Sequence, residues 1–218
     1  MSPAVSPVQS LVKRWKAMGA SSGAKAALAF GPQGPDLARA AQTVLNPEAL
    51  TLLHSDRAPP RARFETTPQS IPDLAEERPG AFDLILAGGA LDSGDLFQVR
   101  GRLVALVDLL ADGGVLAAEI RTFCASGPDG DLDALLFPHL ARSGELGDDR
   151  PGLCPLTAAS WSLLLGAAGL NLEKLDGIGQ QTLPPDLASL HTARLAAYDA
   201  GELTTGTLRL IARKRGSA

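Results

Sequence analysis

Apolar positions along this 218-residue chain alternate between helical and strand spacing, and the changes of spacing mark its elements. Ser6-Pro7 opens a helix, with serine as N-cap and proline in the first helical position. Val8, Leu11, Val12, Trp15 and Met18 follow on one face, and Gly19 ends it. Residues 1–20 thus predict an N-terminal docking helix, whose apolar stripe must pack on the rest of the domain or on a partner. Ala26 to Phe30 is an apolar run of strand length, and Gly31 to Pro35 a tight loop. Leu37, Ala38, Ala41, Val44 and Leu45 mark a second helix, which Asn46-Pro47 stops. Ala49 to Leu53 predicts a second strand and Arg63 to Glu65 a third, with Ala58-Pro59-Pro60 as loop between them.

Ser70 and Asp73 have the spacing of a capping box for a short helix. Phe82 to Ala87 is a buried strand ending at Gly88-Gly89. Leu96, Val99, Leu103, Leu106, Val107 and Leu110 form a long amphipathic helix, Asp112-Gly113-Gly114 a turn, and Val115 to Ile120 another buried strand. Thr157 caps a helix bearing Trp161, Leu164, Leu165 and Ala168, closed by Gly169. Leu170 to Leu175 reads as a strand, Asp186 to Tyr198 as a helix, and Thr207 to Arg213 as a final antiparallel strand. Continuous apolar strands separated by amphipathic helices predict a mostly parallel sheet covered on both faces.

The length suits one α/β domain with a large core, and no linker or repeat divides it. Aromatics make up 4% of residues, so Leu, Ala, Val and Ile must build that core. With 20 basic and 24 acidic residues and no long run of either sign, nothing points to nucleic acid or an anionic membrane. Arg213, Lys214 and Arg215 predict a solvated basic tail. Cys124 and Cys154 are too few for a disulfide framework, which predicts a reduced, cytoplasmic protein. The N-terminus, MSPAVSPVQSLVKRWK, has no apolar core of signal-peptide length, and no run reaches the length of a membrane span. His54, His139 and His191 share no metal-ligand spacing with each other or with the cysteines, so no metal is expected. A Gly-x-Ser-x-Gly elbow, a Walker loop and a Gly-x-Gly-x-x-Gly dinucleotide fingerprint are all absent, which disfavours a nucleotide-dependent oxidoreductase.

Four segments, FDLILAGGAL (82–91), LVDLLADGGVLAAEI (106–120), LTAASWSLLLGAAGLNLEKLDG (156–177) and TLRLIARK (207–214), resemble in order the class I S-adenosylmethionine-dependent methyltransferases. With the N-terminal strands, the resemblance covers nearly the whole chain. It implies a doubly wound, Rossmann-like α/β fold: a seven-stranded sheet, mostly parallel, with the last strand antiparallel. RPGLCPLTAASWSLLLGAAGL, followed by a long helical insertion, is more narrowly similar to the branch with the malonyl-carrier methyltransferase of biotin synthesis and a complex I assembly factor. Insertions 124–156 and 177–206 are expected to lie over the ligand crevice.

The resemblance places S-adenosyl-L-methionine at the C-terminal ends of the first, second and fourth strands. Phe30, Gly31, Gln33 and Gly34 would form its first loop, His54 or Asp56 would hold the ribose hydroxyls, and Gly88 and Gly89 would face the methyl group. The first loop departs from the family's pattern. Gln33 and Pro35 stand where glycines are expected, Ala29 replaces an acidic residue, and Glu65 to Gln69 offers only polar substitutes near the adenine. Asp92 and Asp95 read as solvated helix-capping residues rather than general bases. Catalytic residues are not assigned, since displacement at a methyl carbon needs alignment first and a base only for a protonated acceptor. His139, His191 and Tyr198 remain acceptor-side candidates with packing roles as the plainer alternative. The implied activity is methyl transfer to a small molecule or a carrier-bound acyl group. The alternative is a catalytically inactive assembly or partner-binding subunit, using the Val8–Met18 stripe and the 186–198 helix as contact surfaces.

Overall fold

The computed structural model describes residues 6–20, 23–53, 64–122, 156–180 and 205–216. Helix α1 (Pro7–Met18) begins as its sequence dictates: the Ser6 hydroxyl accepts from the Gln9 amide, and Gly19 closes the helix at φ +122°. Strand β1 (Ala26–Phe30) leads into α2 (Gly34–Val44), then β2 (Ala49–Leu53) and β3 (Glu65–Thr67). Helix α3 (Ile71–Glu77) starts at Ser70, which accepts from the Asp73 amide and donates to the Asp73 carboxylate. Strand β4 (Phe82–Gly88), helix α4 (Leu96–Leu109) and strand β5 (Leu110–Arg121) follow. Helix α5 (Ala158–Ala167), capped by Thr157, leads to β6 (Leu170–Gln180) and β7 (Thr205–Lys214).

The seven strands form one sheet in the order β3-β2-β1-β4-β5-β7-β6. Six strands run one way, and β7 runs against both of its neighbours. Alternate residues of each buried strand serve opposite faces, as the pleat requires. Leu28, Phe30, Ile85, Ala87, Leu116 and Ala118 join α3, α4 and α5 in one core. Ala27, Ala29, Leu84, Leu86, Ala117 and Ile211 join α1 and α2 in the other. The doubly wound sheet expected from the sequence is what forms.

Several boundaries differ from expectation for identifiable reasons. Strand β3 lies two residues later than Arg63 to Glu65, because pairing of Leu53 with Thr67 fixes its register. Asp112-Gly113-Gly114 lies inside β5 as an irregularity in the pairing with β4. A Cβ on Gly114 would stand 2.8 Å from the Ala111 carbonyl and 3.1 Å from that of Phe82, so this kink requires glycine. Arg213 and Lys214 are not tail residues. They belong to β7 and donate to the carbonyls of Gly113 and Leu110, both at 2.7 Å, fastening the kinked start of β5. Arg215 alone of the three is exposed.

Helix α1 uses its stripe within the chain. Leu11, Val12 and Trp15 are buried, Val8 and Met18 are partly covered, and Arg14 reaches Asp176 of β6 at 2.9 Å. The Val8–Met18 stripe is therefore spent on intramolecular packing and is not a free partner surface.

Candidate functional site

The chain runs outward from β1 through β2 to β3, then returns to the other side of β1 with β4. That reversal between β1 and β4 opens a crevice beyond the C-terminal ends of the two strands, the usual ligand position in an open α/β sheet. Its two walls are the turn after β1 and the loop after β4.

The first wall is a turn closed by the Gly34 amide donating to the Gly31 carbonyl at 2.8 Å. Gly31 takes φ +98°, and a Cβ there would stand 2.7 Å from Ala90 Cβ and 2.8 Å from the Gly88 carbonyl. Glycine is thus needed at 31 for the turn to dock on the β4 loop. Gly34 and Pro35 are already helical, the first two residues of α2, rather than loop. Gly34 is buried against Leu52, whose Cδ1 would lie 3.0 Å from an added Cβ. Phe30 faces away, into the core with α3 and α4, and is 2% exposed.

Gln33 lies across the end of β4. A Cβ on Gly88 would stand 3.3 Å from Gln33 Oε1, 3.4 Å from Gln33 Cβ and 2.8 Å from Leu37 Cδ1. Gly88 lacks a side chain, and Leu37 and the glutamine share that space. Gly89, at φ +64°, has nothing within 4 Å of an added Cβ, so beside it the crevice is open. Gly31, Gln33, Gly88 and Gly89 are therefore brought together. His54 and Asp56 fall outside the described residues, as do Cys124, His139, Cys154, His191, Tyr198 and most of both insertions. Residues 177–180 and 205–206 of the second insertion belong to β6 and β7.

The second wall is held from below by charge. Asp92 is wholly buried, not a solvated cap. Its Oδ2 accepts from the Arg121 amide at 2.7 Å and from Arg121 Nε at 2.9 Å. Asp92 raises the pKa of Arg121, first through this hydrogen bond, while Arg121 remains 46% exposed. Arg102 donates through Nη1 to the carbonyls of Ala90 at 2.7 Å, Ser93 at 3.1 Å and Leu91 at 3.3 Å. Burial lowers the pKa of Arg102 and the Asp92 charge opposes that shift; an arginine remains cationic at neutral pH. Asp95 does cap α4, in a capping box with Gln98. An Arg six residues into a helix gives no sequence sign of reaching back to a loop, so Arg102 escaped the sequence analysis.

At the far end of the crevice, Thr67 donates to Gln69 Oε1 at 2.8 Å. The neighbouring carboxylate, Glu65, points its acceptors to Thr51 and Arg78 instead. Its pKa is lowered by the Thr51 hydrogen bond and then by Arg78. Among the described residues no cluster of His, Cys, Asp and Glu could hold a metal, and no helix is long and apolar enough to cross a membrane.

No protein-family model matches the chain, and no curated protein sequence matches it. Solved structures do. A SAM-dependent methyltransferase from Archaeoglobus fulgidus matches with a TM-score of 0.61 at 11% identity, over 94% of this chain and 94% of that one. The [4+2]-cyclase SpnF matches with a TM-score of 0.58 at 16% identity, over 94% of this chain and 81% of that one. Burkholderia thailandensis 1,6-didemethyltoxoflavin-N1-methyltransferase, solved with 1,6-didemethyltoxoflavin and S-adenosylhomocysteine, matches with a TM-score of 0.55. Its identity is 14%, over 97% of this chain and 78% of that one. In strand order, in the reversed last strand and in these likenesses, the chain has the fold of the class I S-adenosylmethionine-dependent methyltransferases.

Proposed function

We propose that the crevice between the β1 turn and the β4 loop binds S-adenosylmethionine, and that the chain transfers its methyl group to a small molecule or carrier-bound acyl acceptor. The observation that carries this is the pair of glycine-bearing strand ends, Gly31 and Gly88-Gly89, facing each other at the switch point of this fold. The ligand's amino-acid end would lie along the β1 turn, and its nucleoside toward the ends of β2 and β3. Bound there, it would supply an electrophilic methyl carbon for direct displacement. The protein's part is placement: Arg102 and Asp92 fix the β4 loop, and Gly89 keeps its outer side clear. Gln33 does not fit, because it stands, with Leu37, in the space over Gly88.

That misfit favours a second reading, a subunit of this fold that no longer transfers methyl groups and serves by binding a partner. Fold alone does not decide between them, since a cyclase shares it. Calorimetric titration separates the two. Saturable binding of S-adenosylmethionine or S-adenosylhomocysteine, lost in Gly31→Trp and not competed by NADH, supports the first. No binding of either, or of 5′-methylthioadenosine, at millimolar concentration sinks it.

A further inference from the structure

We infer that Gln33 is a steric gate within the crevice, one that discriminates against ligands carrying bulk at the β1 turn and leaves the nucleoside end of the site alone. The inference rests on the proposed ligand class and goes beyond it by assigning selectivity to a single side chain.

Two observations on Gln33 point the same way. Its Cβ and Oε1 both lie at van der Waals range of the point where a Gly88 side chain would begin, so the whole side chain runs across the end of β4. Its carboxamide makes no hydrogen bond within the described residues, although the residue is half-buried. An amide held by hydrogen bonds would be part of the wall. This one has no hydrogen bond among the described residues to hold it, so its amide can be displaced by rotation about its own χ angles, without moving the backbone.

The backbone around it cannot widen the crevice in its place. Gly31 leaves no room for a Cβ beside Ala90 and the Gly88 carbonyl, nor Gly34 beside Leu52, so the turn is closely packed on both sides of Gln33. A ligand group entering beside the turn must therefore displace the Gln33 side chain and hold it in a restricted set of rotamers. Immobilising a side chain of this length weakens binding by roughly two- to tenfold. A ligand that stops short of the turn meets no such penalty.

S-adenosylhomocysteine and 5′-methylthioadenosine differ in this respect: both carry the thio-linked adenosine, and only the first has the amino-acid end. Their affinities for the full chain and for Gln33→Ala and Gln33→Leu would be measured by calorimetry, with each variant's thermal midpoint recorded. The gate predicts that Gln33→Ala tightens S-adenosylhomocysteine by about two- to tenfold and leaves 5′-methylthioadenosine unchanged. Gln33→Leu, which keeps the bulk without the amide, should stay close to the parent protein. Weaker or unchanged S-adenosylhomocysteine binding in Gln33→Ala overturns the gate; weaker binding in both variants would show that the amide holds the ligand. If 5′-methylthioadenosine binds the parent while Gln33→Ala changes nothing, the gate fails and the proposed site survives. If neither ligand binds any of the three proteins, the proposed site fails and the gate with it.

Discussion

The carboxylate of Asp92 accepts from both the backbone amide and the guanidinium of Arg121, tying the loop after β4 to the last residue of β5. The acid is wholly buried and the base is not. Removing the two partners should therefore have unequal effects. Asp92→Ala leaves the Arg121 amide unpaired and the half-buried Arg102 charge uncompensated, and should destabilise by about 2–4 kcal/mol. Arg121→Ala leaves Asp92 its backbone donor and should cost roughly half as much. Urea denaturation of the two variants measures the difference, and equal losses would refute the asymmetry.

Two glycines of the same crevice make a second comparison. Gly31 and Gly89 both have positive φ, but only Gly31 has atoms where its Cβ would go. Gly89→Ala should carry the left-handed backbone cost alone, about 1–2 kcal/mol. Gly31→Ala should exceed it by at least about 1 kcal/mol, since the β1 turn must lift off Ala90. Thermal unfolding without any ligand tests this, because neither cost depends on one.

The frame of this molecule was legible from apolar spacing because the buried strands are short, continuous runs such as Ala26–Phe30 and Phe82–Gly88. Caps were legible too, since Ser6, Ser70 and Thr157 each act through a side chain and an amide three residues apart. What escaped was long-range. Asp92 and Asp95 look alike in the sequence, yet one meets a residue 29 positions away and the other caps its own helix. Arg213 and Lys214 look like a tail until Gly113 and Leu110 are placed beside them, about a hundred positions away. At the crevice, the glycine pattern pointed to the place, but Gly31 serves loop docking and Gln33, with Leu37, fills the gap over Gly88.

Trp15 offers a test of how α1 is held. Its ring is fully buried, and its indole N–H has no hydrogen-bond partner among the described residues. Trp15→Ala should cost about 3–5 kcal/mol through the cavity it leaves. Trp15→Phe loses ring volume but also removes an unpaired buried donor. The two effects oppose, leaving a change within about 1.5 kcal/mol. Denaturation midpoints of the two variants should therefore lie far apart.

Acid should weaken the sheet at both edges. Glu65 on β3 has its pKa lowered by Thr51 and then Arg78, and Glu173 on β6 by Arg213. Each folded-state value lies below the ordinary 4.5, so the contribution is complete above that pH. It is lost as pH falls through the depressed values. Both groups are partly exposed, so salt should shrink the effect. Stability measured against pH should fall less steeply below pH ~4.5 in the Glu65→Gln, Glu173→Gln double variant.

Strand β7 comes last in the sequence but sits between β5 and β6 in the sheet. Among the described strands β6 has no other neighbour, while α1 packs mainly on α2 in the core that also holds Ile211. During synthesis, β6 must therefore leave the ribosome without its final partner, whereas α1 meets α2 as soon as that helix emerges. Strand β6 waits, exposed, until residues 205–214 emerge. Chaperone dependence of this protein should accordingly be set by β7, and a nascent chain stalled before Thr205 should be protease-sensitive in β6 more than in its first helix.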